Sequence, residues 1–360
     1  MHQLTDHLTD PKEKISALYT YLQQNTRYIL VMFGIGGFQT YDAMYVATKG
    51  YGDCKALSNY MCALLKEAGI RANYTLVRAG QGNTEMMEDF PVSRFNHVIV
   101  NVPLEKDTVW LECTSQTLPA GYLSGFTAGR PVLSVDENGG KLVRTPKYGM
   151  AQNQATSLVN AVIDENGDAS IKVLNHSTGQ LQDEQHSIIH SMSREKQLEE
   201  LRDNISLASY DIVDFGYKEY PGRLPALDEQ LHIKAAAYAS VTGKRMFIVP
   251  NILSRSNTRL PDDSARLSEI FLPYSARSVD TVMITIPSGY KLESGFQPVA
   301  IANKFGKYAA SAKLEGDRIV YVRSREIYDG VFPPSDVQEL KAFYDQVFKS
   351  DRSRMVLVKE

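Results

Sequence analysis

A cysteine, a histidine and a carboxylate at Cys54, His97 and Glu112 are the residue types needed for nucleophilic acyl chemistry. A thiolate attacks an amide carbonyl, an imidazole takes the thiol proton and later protonates the leaving group, and a carboxylate fixes the ring tautomer and stabilises the imidazolium. Cys54 sits between Tyr51-Gly52-Asp53 and an apolar stripe of Ala56, Leu57, Tyr60, Met61, Leu64, Leu65 and Ala68 that stops at Gly69. This pattern predicts a helix with Asp53 as N-cap, Cys54 in the first turn and Gly69 at the C′ position. Free backbone N–H groups and the positive end of the helix dipole favour a thiolate there, and the Cys54 N–H can receive the oxyanion formed on attack. The alternative is a small buried residue at a helix start.

The other two groups need a strand pair to bring them together. FNHVIVNV (95–102) and DTVWLECTS (107–115) read as a β-hairpin around the loop PLEK (103–106). With a four-residue loop, Val102 faces Asp107, Ile99 faces Trp110 and His97 faces Glu112, with Cβ atoms about 4.5–5.5 Å apart. A loop one residue longer opposes His97 to Cys113 instead.

Three further residues are candidates for the oxyanion site and cleft. Gln39 follows a glycine turn and is a second oxyanion donor after the Cys54 N–H, although solvation is its ordinary role. Tyr51 is a similar candidate, against packing on the hairpin. Trp110 falls on the His97 face and would wall the cleft, against a place in the core. Gly34-Ile35-Gly36-Gly37 lacks the GxGxxG spacing, so no nucleotide site is read there. His186 and His190 in HSIIH would share one face of a helix, but no third ligand has a matching spacing and the segment could equally be a strand. No metal and no cofactor are therefore expected. Cys62 and Cys113 read as buried small residues.

The composition, 43% hydrophobic and 22% charged over 360 residues, is that of an ordinary globular protein with room for about two domains. A net charge of −3 carries no basic excess, which argues against nucleic acid as a partner. Three cysteines do not make a disulfide framework. No run approaches the ~18 apolar residues of a membrane span, and the first residues have no signal-like pattern. The sequence begins almost directly with a helix. The expectation is that an upstream exported segment has been removed, which would place the protein in the periplasm or outside the cell as a monomer.

In chain order, Asp10-Pro11 starts a helix whose apolar face is Ile15, Leu18, Tyr19 and Leu22. RYILVMFGIGGFQTYDA (27–43) reads as a strand entering a glycine turn. RANYTLVRA (71–79) reads as β-rich and GQGNTEMMEDFP (80–91) as a polar loop, and residues 121–153 as turn-rich with a linker at their end. Beyond it, LVNAVIDENGDASIKVLN (158–175) is a hairpin around Asn166-Gly167, and a helical segment covers 193–205. QLHIKAAAYAS, TVMITIPSGY and RIVYVRSREI are β-like, and PPSDVQELKAFYDQVF is a last helix before the strand RMVLV. GRLPALDE and SNTRLPDDSAR read as loops. Two domains are expected, 1–150 and 151–360, the second a β-sandwich-like domain with a C-terminal helix.

YGDCKALSNYMCALLKEAGI, FNHVIVNVP and VWLECTS resemble the core of the transglutaminase-like superfamily, which shares the papain-like thiol-enzyme architecture. The resemblance covers 10–148. It implies an α+β core in which a cysteine-bearing helix packs on an antiparallel sheet, and a triad that falls on Cys54, His97 and Glu112. The second half resembles a β-rich domain of unknown function that accompanies this core in exported bacterial proteins. Two departures stand out: the family's third member is usually aspartate, one methylene shorter than Glu112, and Tyr51-Gly52-Asp53-Cys54-Lys55 differs from the Tyr-Gly-Gln-Cys-Trp motif of the eukaryotic cross-linking enzymes. Acyl transfer or hydrolysis of an amide in a peptide, protein or cell-envelope substrate is the implied activity. The competing reading is a module that binds a peptide or glycan in the same cleft without turnover.

Overall fold

The structure, a computed structural model, describes residues 2–82, 86, 93–262 and 266–360. Most of the polar loop expected over 80–91, and part of SNTRLPDDSAR, lie outside the described residues. The chain divides into two compact units, Met1–Tyr148 with Pro221–Pro225, and Gly149–Tyr220 with Ala226–Glu360.

In the first unit a short α1 (His2–Thr5) precedes α2 (Pro11–Asn25), which has Pro11 at its first position and Asp10 accepting from the Lys12 N–H at 2.9 Å. β1 (Arg27–Tyr28) is only two residues long and pairs in parallel with β2 (Tyr51–Gly52). The strand expected from Arg27 onward stops there because β2 offers no longer partner. Ile29, Leu30, Met32 and Phe33 are left exposed. A helix absent from the sequence reading, α3 (Ala43–Lys49), is capped by Asp42, whose carboxylate accepts from the Tyr45 N–H at 2.7 Å. α4 (Cys54–Glu67) follows β2 directly. It ends as expected: Gly69 takes φ +74°, and the Ile70 N–H reaches back to the Leu65 carbonyl at 2.9 Å, a turn only glycine enters cheaply.

β3 (Asn73–Val77), β4 (His97–Leu104), β5 (Asp107–Leu111), β6 (Pro131–Asp136) and β7 (Gly139–Arg144) form an antiparallel sheet in the order β5-β4-β3-β6-β7. The β6–β7 hairpin lies in the stretch read as turn-rich. Its Gly139-Gly140 start and exposed β7 hide the alternation that reveals a strand. The apolar faces of α2 and α4, with Ile15, Leu18, Leu22, Leu57, Met61 and Leu65, bury Val100, Val102, Val109 and Leu111. Burying one such aliphatic side chain contributes about 1.5–3 kcal/mol.

The hairpin register differs from the expected one. Leu104 faces Asp107 and Val102 faces Val109, so the turn is Glu105-Lys106 alone. Pro103 and Leu104 belong to the strand. A shift of two residues leaves every side chain on its expected face, because the strand period is two.

In the second unit β8 (Gln154–Ile163) and β9 (Ala169–Thr178) flank Asn166-Gly167, followed by α5 (Asp183–Ser191), α6 (Arg194–Asn204), β10 (Tyr210–Tyr220) and β11 (Ala226–Ala235). Then come β12 (Ser240–Thr242), β13 (Arg245–Ile248), β14 (Ile270–Leu272), β15 (Ala276–Thr285), β16 (Tyr290–Ser294), β17 (Val299–Asn303), β18 (Gly306–Glu315), β19 (Arg318–Ile327) and β20 (Gly330–Phe332). The unit closes with α7 (Val337–Ser350) and β21 (Met355–Lys359). An eight-stranded sheet, β10-β11-β9-β8-β15-β19-β18-β17, and a four-stranded one, β12-β13-β21-β16, share a core. Val159, Ile171, Ile233 and Ile284 of the larger sheet meet Met246, Met355 and Leu357 of the smaller, with Phe343 and Val347 of α7. The fold is therefore an α+β core followed by a β-rich unit. At its centre the buried Arg323 donates to Asp351 Oδ1 at 2.8 Å and to Asp280 Oδ2 at 2.8 Å.

Candidate active site

Cys54 occupies the first position of α4, and the cap is the one the sequence implies: the Asp53 carboxylate accepts from the Ala56 N–H at 3.0 Å and pairs with the Lys55 ammonium. The approach to the helix is tight. A Cβ on Gly52 would lie 2.8 Å from the Ala56 Cβ, so β2 can run this close to the first turn only as glycine. Backbone bonds from Arg27 N to Gly50 O and from Ile29 N to Gly52 O, both 2.9 Å, hold β2 against β1. One turn into α4, Ser58 Oγ donates to the Val98 carbonyl at 3.2 Å. This bond ties the cysteine helix to β4 one residue past His97.

His97 opens β4, and Glu112 directly follows the end of β5. All three side chains are buried, with Cys54 and His97 at 8% and Glu112 at 4% relative exposure. His97 Nε2 lies 2.9 Å from Glu112 Oε1 and 3.1 Å from Oε2, and Cys54 stands near enough to the same ring to raise its pKa. With Nε2 given to the carboxylate, Nδ1 is the nitrogen left for sulfur. Burial alone would lower the His97 pKa, but the Glu112 charge, the nearby Cys54 and the hydrogen bond to Glu112 outweigh it and push the imidazole up to about 10. The ring therefore holds its proton more tightly than a free imidazole.

The carboxylate is itself held. Thr114 Oγ1 donates to Glu112 Oε1 at 2.6 Å, and the Tyr19 hydroxyl donates to the Glu112 carbonyl at 2.7 Å. The Tyr19 contact had no signal in the sequence, being 93 residues away, whereas Thr114 lies two residues from Glu112 in the same segment. Phe126, half exposed, meets the His97 ring edge-on at a centroid distance of 5.4 Å. Burial, and then the charges of Cys54, Asp53 and Glu112, push the Tyr28 phenol up, so its ring belongs to the same neighbourhood.

The accessory candidates fare differently. Gln39 lies in an exposed turn after the 3-10 helix Gly34–Gly37, and among the described residues no hydrogen bond ties it to Cys54 or His97. The Tyr51 hydroxyl is 2.6 Å from that of Tyr45, so its polar end is engaged outside the trio. Trp110 is a core residue, 5% exposed among Val77, Ile99, Leu123 and Val132, and does not wall a cleft. Its strand partner is Asn101 rather than Ile99. Cys62, raised by burial to about 12, and Cys113, raised by burial and then by the Glu112 charge, are held as thiols.

Residues 1–116 match the family model of the transglutaminase-like superfamily, and residues 244–357 match a domain of unknown function with a solved structure, DUF3858. A crystal structure of a "putative protease" from Parabacteroides distasonis aligns with a TM-score of 0.53 at 14% identity, over 99% of this chain and 54% of that one. At that identity the likeness is one of fold, and this chain spans about half the length of that neighbour. A comparison with curated proteins gives no match. Among the described residues, no helix is long and apolar enough to cross a membrane.

Proposed function

Taking a transglutaminase-like domain at residues 1–116 as the premise, we propose that Cys54, His97 and Glu112 form a thiolate–imidazolium–carboxylate triad. On this reading they transfer the acyl group of an amide in a peptide, protein or cell-envelope substrate. One observation carries it: the buried His97 ring is hydrogen-bonded to the Glu112 carboxylate and lies near enough to Cys54, at the start of α4, to feel its charge. The thiolate attacks the carbonyl carbon, and the charge passes to the carbonyl oxygen, which the Cys54 N–H at the helix start receives. Gln39 is the second donor candidate, and it reaches the oxyanion only if its exposed turn closes over bound substrate. The C–N bond then breaks as His97 gives its Nδ1 proton to the leaving amine, which leaves an acyl thioester on Cys54. Water or an amine next attacks the thioester and yields its proton to His97, and the thiolate departs. Thr114 keeps the carboxylate aimed at Nε2 through both halves of the cycle.

The description given to the Parabacteroides structure points toward hydrolysis. The test is a peptide-amide mixture with and without an added amine, read by intact mass. An acyl adduct on Cys54, absent in Cys54→Ala, supports the triad, and the amine-dependent product distinguishes transfer from hydrolysis. Peptide binding by both wild type and Cys54→Ala, with no adduct and no product, would instead support a non-catalytic binding module.

A further inference from the structure

A second cluster lies in the β-rich unit, on residues that the triad does not use. HSIIH is helical, so His186 and His190 on α5 lie one turn apart on the same face, with ring centroids 4.5 Å apart. The third ligand that the sequence reading lacked comes from β10, 29 residues beyond His190. Glu219 Oε1 lies 2.6 Å from His186 Nδ1, and its two oxygens lie 3.2 and 3.0 Å from His190 Nε2. One donor atom from each residue falls within 4.8 Å of the others. The cluster is partly enclosed: the His186 side chain is 12% exposed and the other two about a third. α5 is also docked independently, since Gln185 Nε2 donates to Glu229 Oε2 at 3.2 Å and Asn175 holds the other oxygen at 2.7 Å.

Without a metal, each nitrogen facing Glu219 must carry a proton to bond it. A divalent cation can replace both N–H donors, with each imidazole offering the lone pair of the nitrogen that faces Glu219, at the point where three donor atoms converge. Two imidazoles and one carboxylate suit zinc and its neighbours in the first transition row. Metal–ligand bonds of about 2.0–2.1 Å require donors about 3.3 Å apart in a tetrahedron. The 3.0 Å between His190 and Glu219 nearly meets this, the 2.6 Å between His186 and Glu219 has to open by under about 1 Å, and the donor atoms of the two histidines lie within 4.8 Å of one another.

We propose that His186, His190 and Glu219 bind a divalent transition-metal ion of the zinc class, clamping α5 to β10 and leaving a fourth coordination position open to solvent. Three ligands drawn from a helix and a strand 29 residues apart would staple the layer that covers this end of the larger sheet. The assignment is independent of the role of Cys54.

The test uses the full chain stripped with chelator, in a Cys54→Ser background so that the thiol does not compete. Calorimetric titration with zinc should give one saturable site per chain. Cobalt as a probe should give the visible absorption of a low-symmetry, four-coordinate ion. His190→Gln and Glu219→Gln should each weaken zinc by at least about tenfold and abolish the zinc-dependent rise in thermal midpoint, while His176→Gln changes neither. Far-UV circular dichroism establishes that the partly exposed His190 variant is folded. Unchanged stoichiometry and affinity in both variants would place the metal elsewhere. The absence of saturable binding in the parent would overturn the site altogether.

Discussion

His97 Nε2 lies 2.9 Å from Glu112 Oε1, yet the two residues are not cross-strand partners. The β4–β5 ladder ends at Val100 and Leu111, and continuing its register would set His97 opposite Thr114, with Glu112 on the diagonal. Diagonal neighbours are about 7–8 Å apart, a gap that long side chains can cross. The additional methylene of glutamate suits this position better than the shorter aspartate.

Replacing Glu112 by Gln keeps the volume and removes the charge that sustains the imidazolium. Iodoacetamide alkylation of Cys54 at neutral pH should slow by about tenfold for each unit by which His97 is weakened. If Glu112→Gln overlays wild type across the pH range while His97→Ala does not, the carboxylate has no part in the chemistry.

Limiting iodoacetamide at pH 7 followed by peptide mapping should label Cys54 ahead of the other two thiols. Burial holds Cys62 and Cys113 as thiols, and the thiolate is the alkylated form. Preferential label on either would contradict the assignment.

The Glu112 charge and Cys54 push the buried His97 imidazole up to about 10 against an ordinary histidine value of about 6.5. A raised folded value means that the native state binds the proton more tightly than the unfolded chain, so the stabilisation is fully present below pH 6.5 and is lost as the pH rises through about 10. The urea midpoint of wild type should therefore exceed that of His97→Gln most at pH 6, with the gap narrowing by pH 10. A gap that widens with pH would reverse the assignment of the charged ring.

Thr114→Val removes the 2.6 Å bond to Glu112 Oε1. A hydrogen bond to a charged group contributes about 1.5–3 kcal/mol, so alkylation of Cys54 should fall by about tenfold or more with little change in fold. Wild-type rates in this variant would leave the carboxylate positioned by the hairpin alone.

Arg323→Met leaves Asp280 and Asp351 buried without their cation. Breaking one partner of a buried ion pair typically costs about 3–5 kcal/mol. Urea unfolding should register a loss of that order, and a change under about 1 kcal/mol would mean that Tyr308, Asn251 and the Ser256 N–H suffice to hold Asp351.

The local features of the site were legible in the sequence because their causes are local. The stripe from Ala56 to Ala68, the Asp53 cap and Gly69 at C′ specify the cysteine helix through contacts no more than five residues apart. Runs rich in β-branched and apolar residues in 97–102 and 107–111 specify two strands, and because the strand period is two, a two-residue error of register leaves the faces unchanged. What only the tertiary structure decided depends on partners distant in sequence. Trp110 went to the core because Val77, Ile99, Leu123 and Val132 converge on it. Tyr19 holds the Glu112 carbonyl, and Ser58 sets α4 against β4, through hydrogen bonds that no spacing encodes. Glu219 reached His186 and His190 only when a strand was laid beside their helix. Periodicity reports how an element faces its neighbours. Which ring nitrogen meets which oxygen is fixed by how the elements pack.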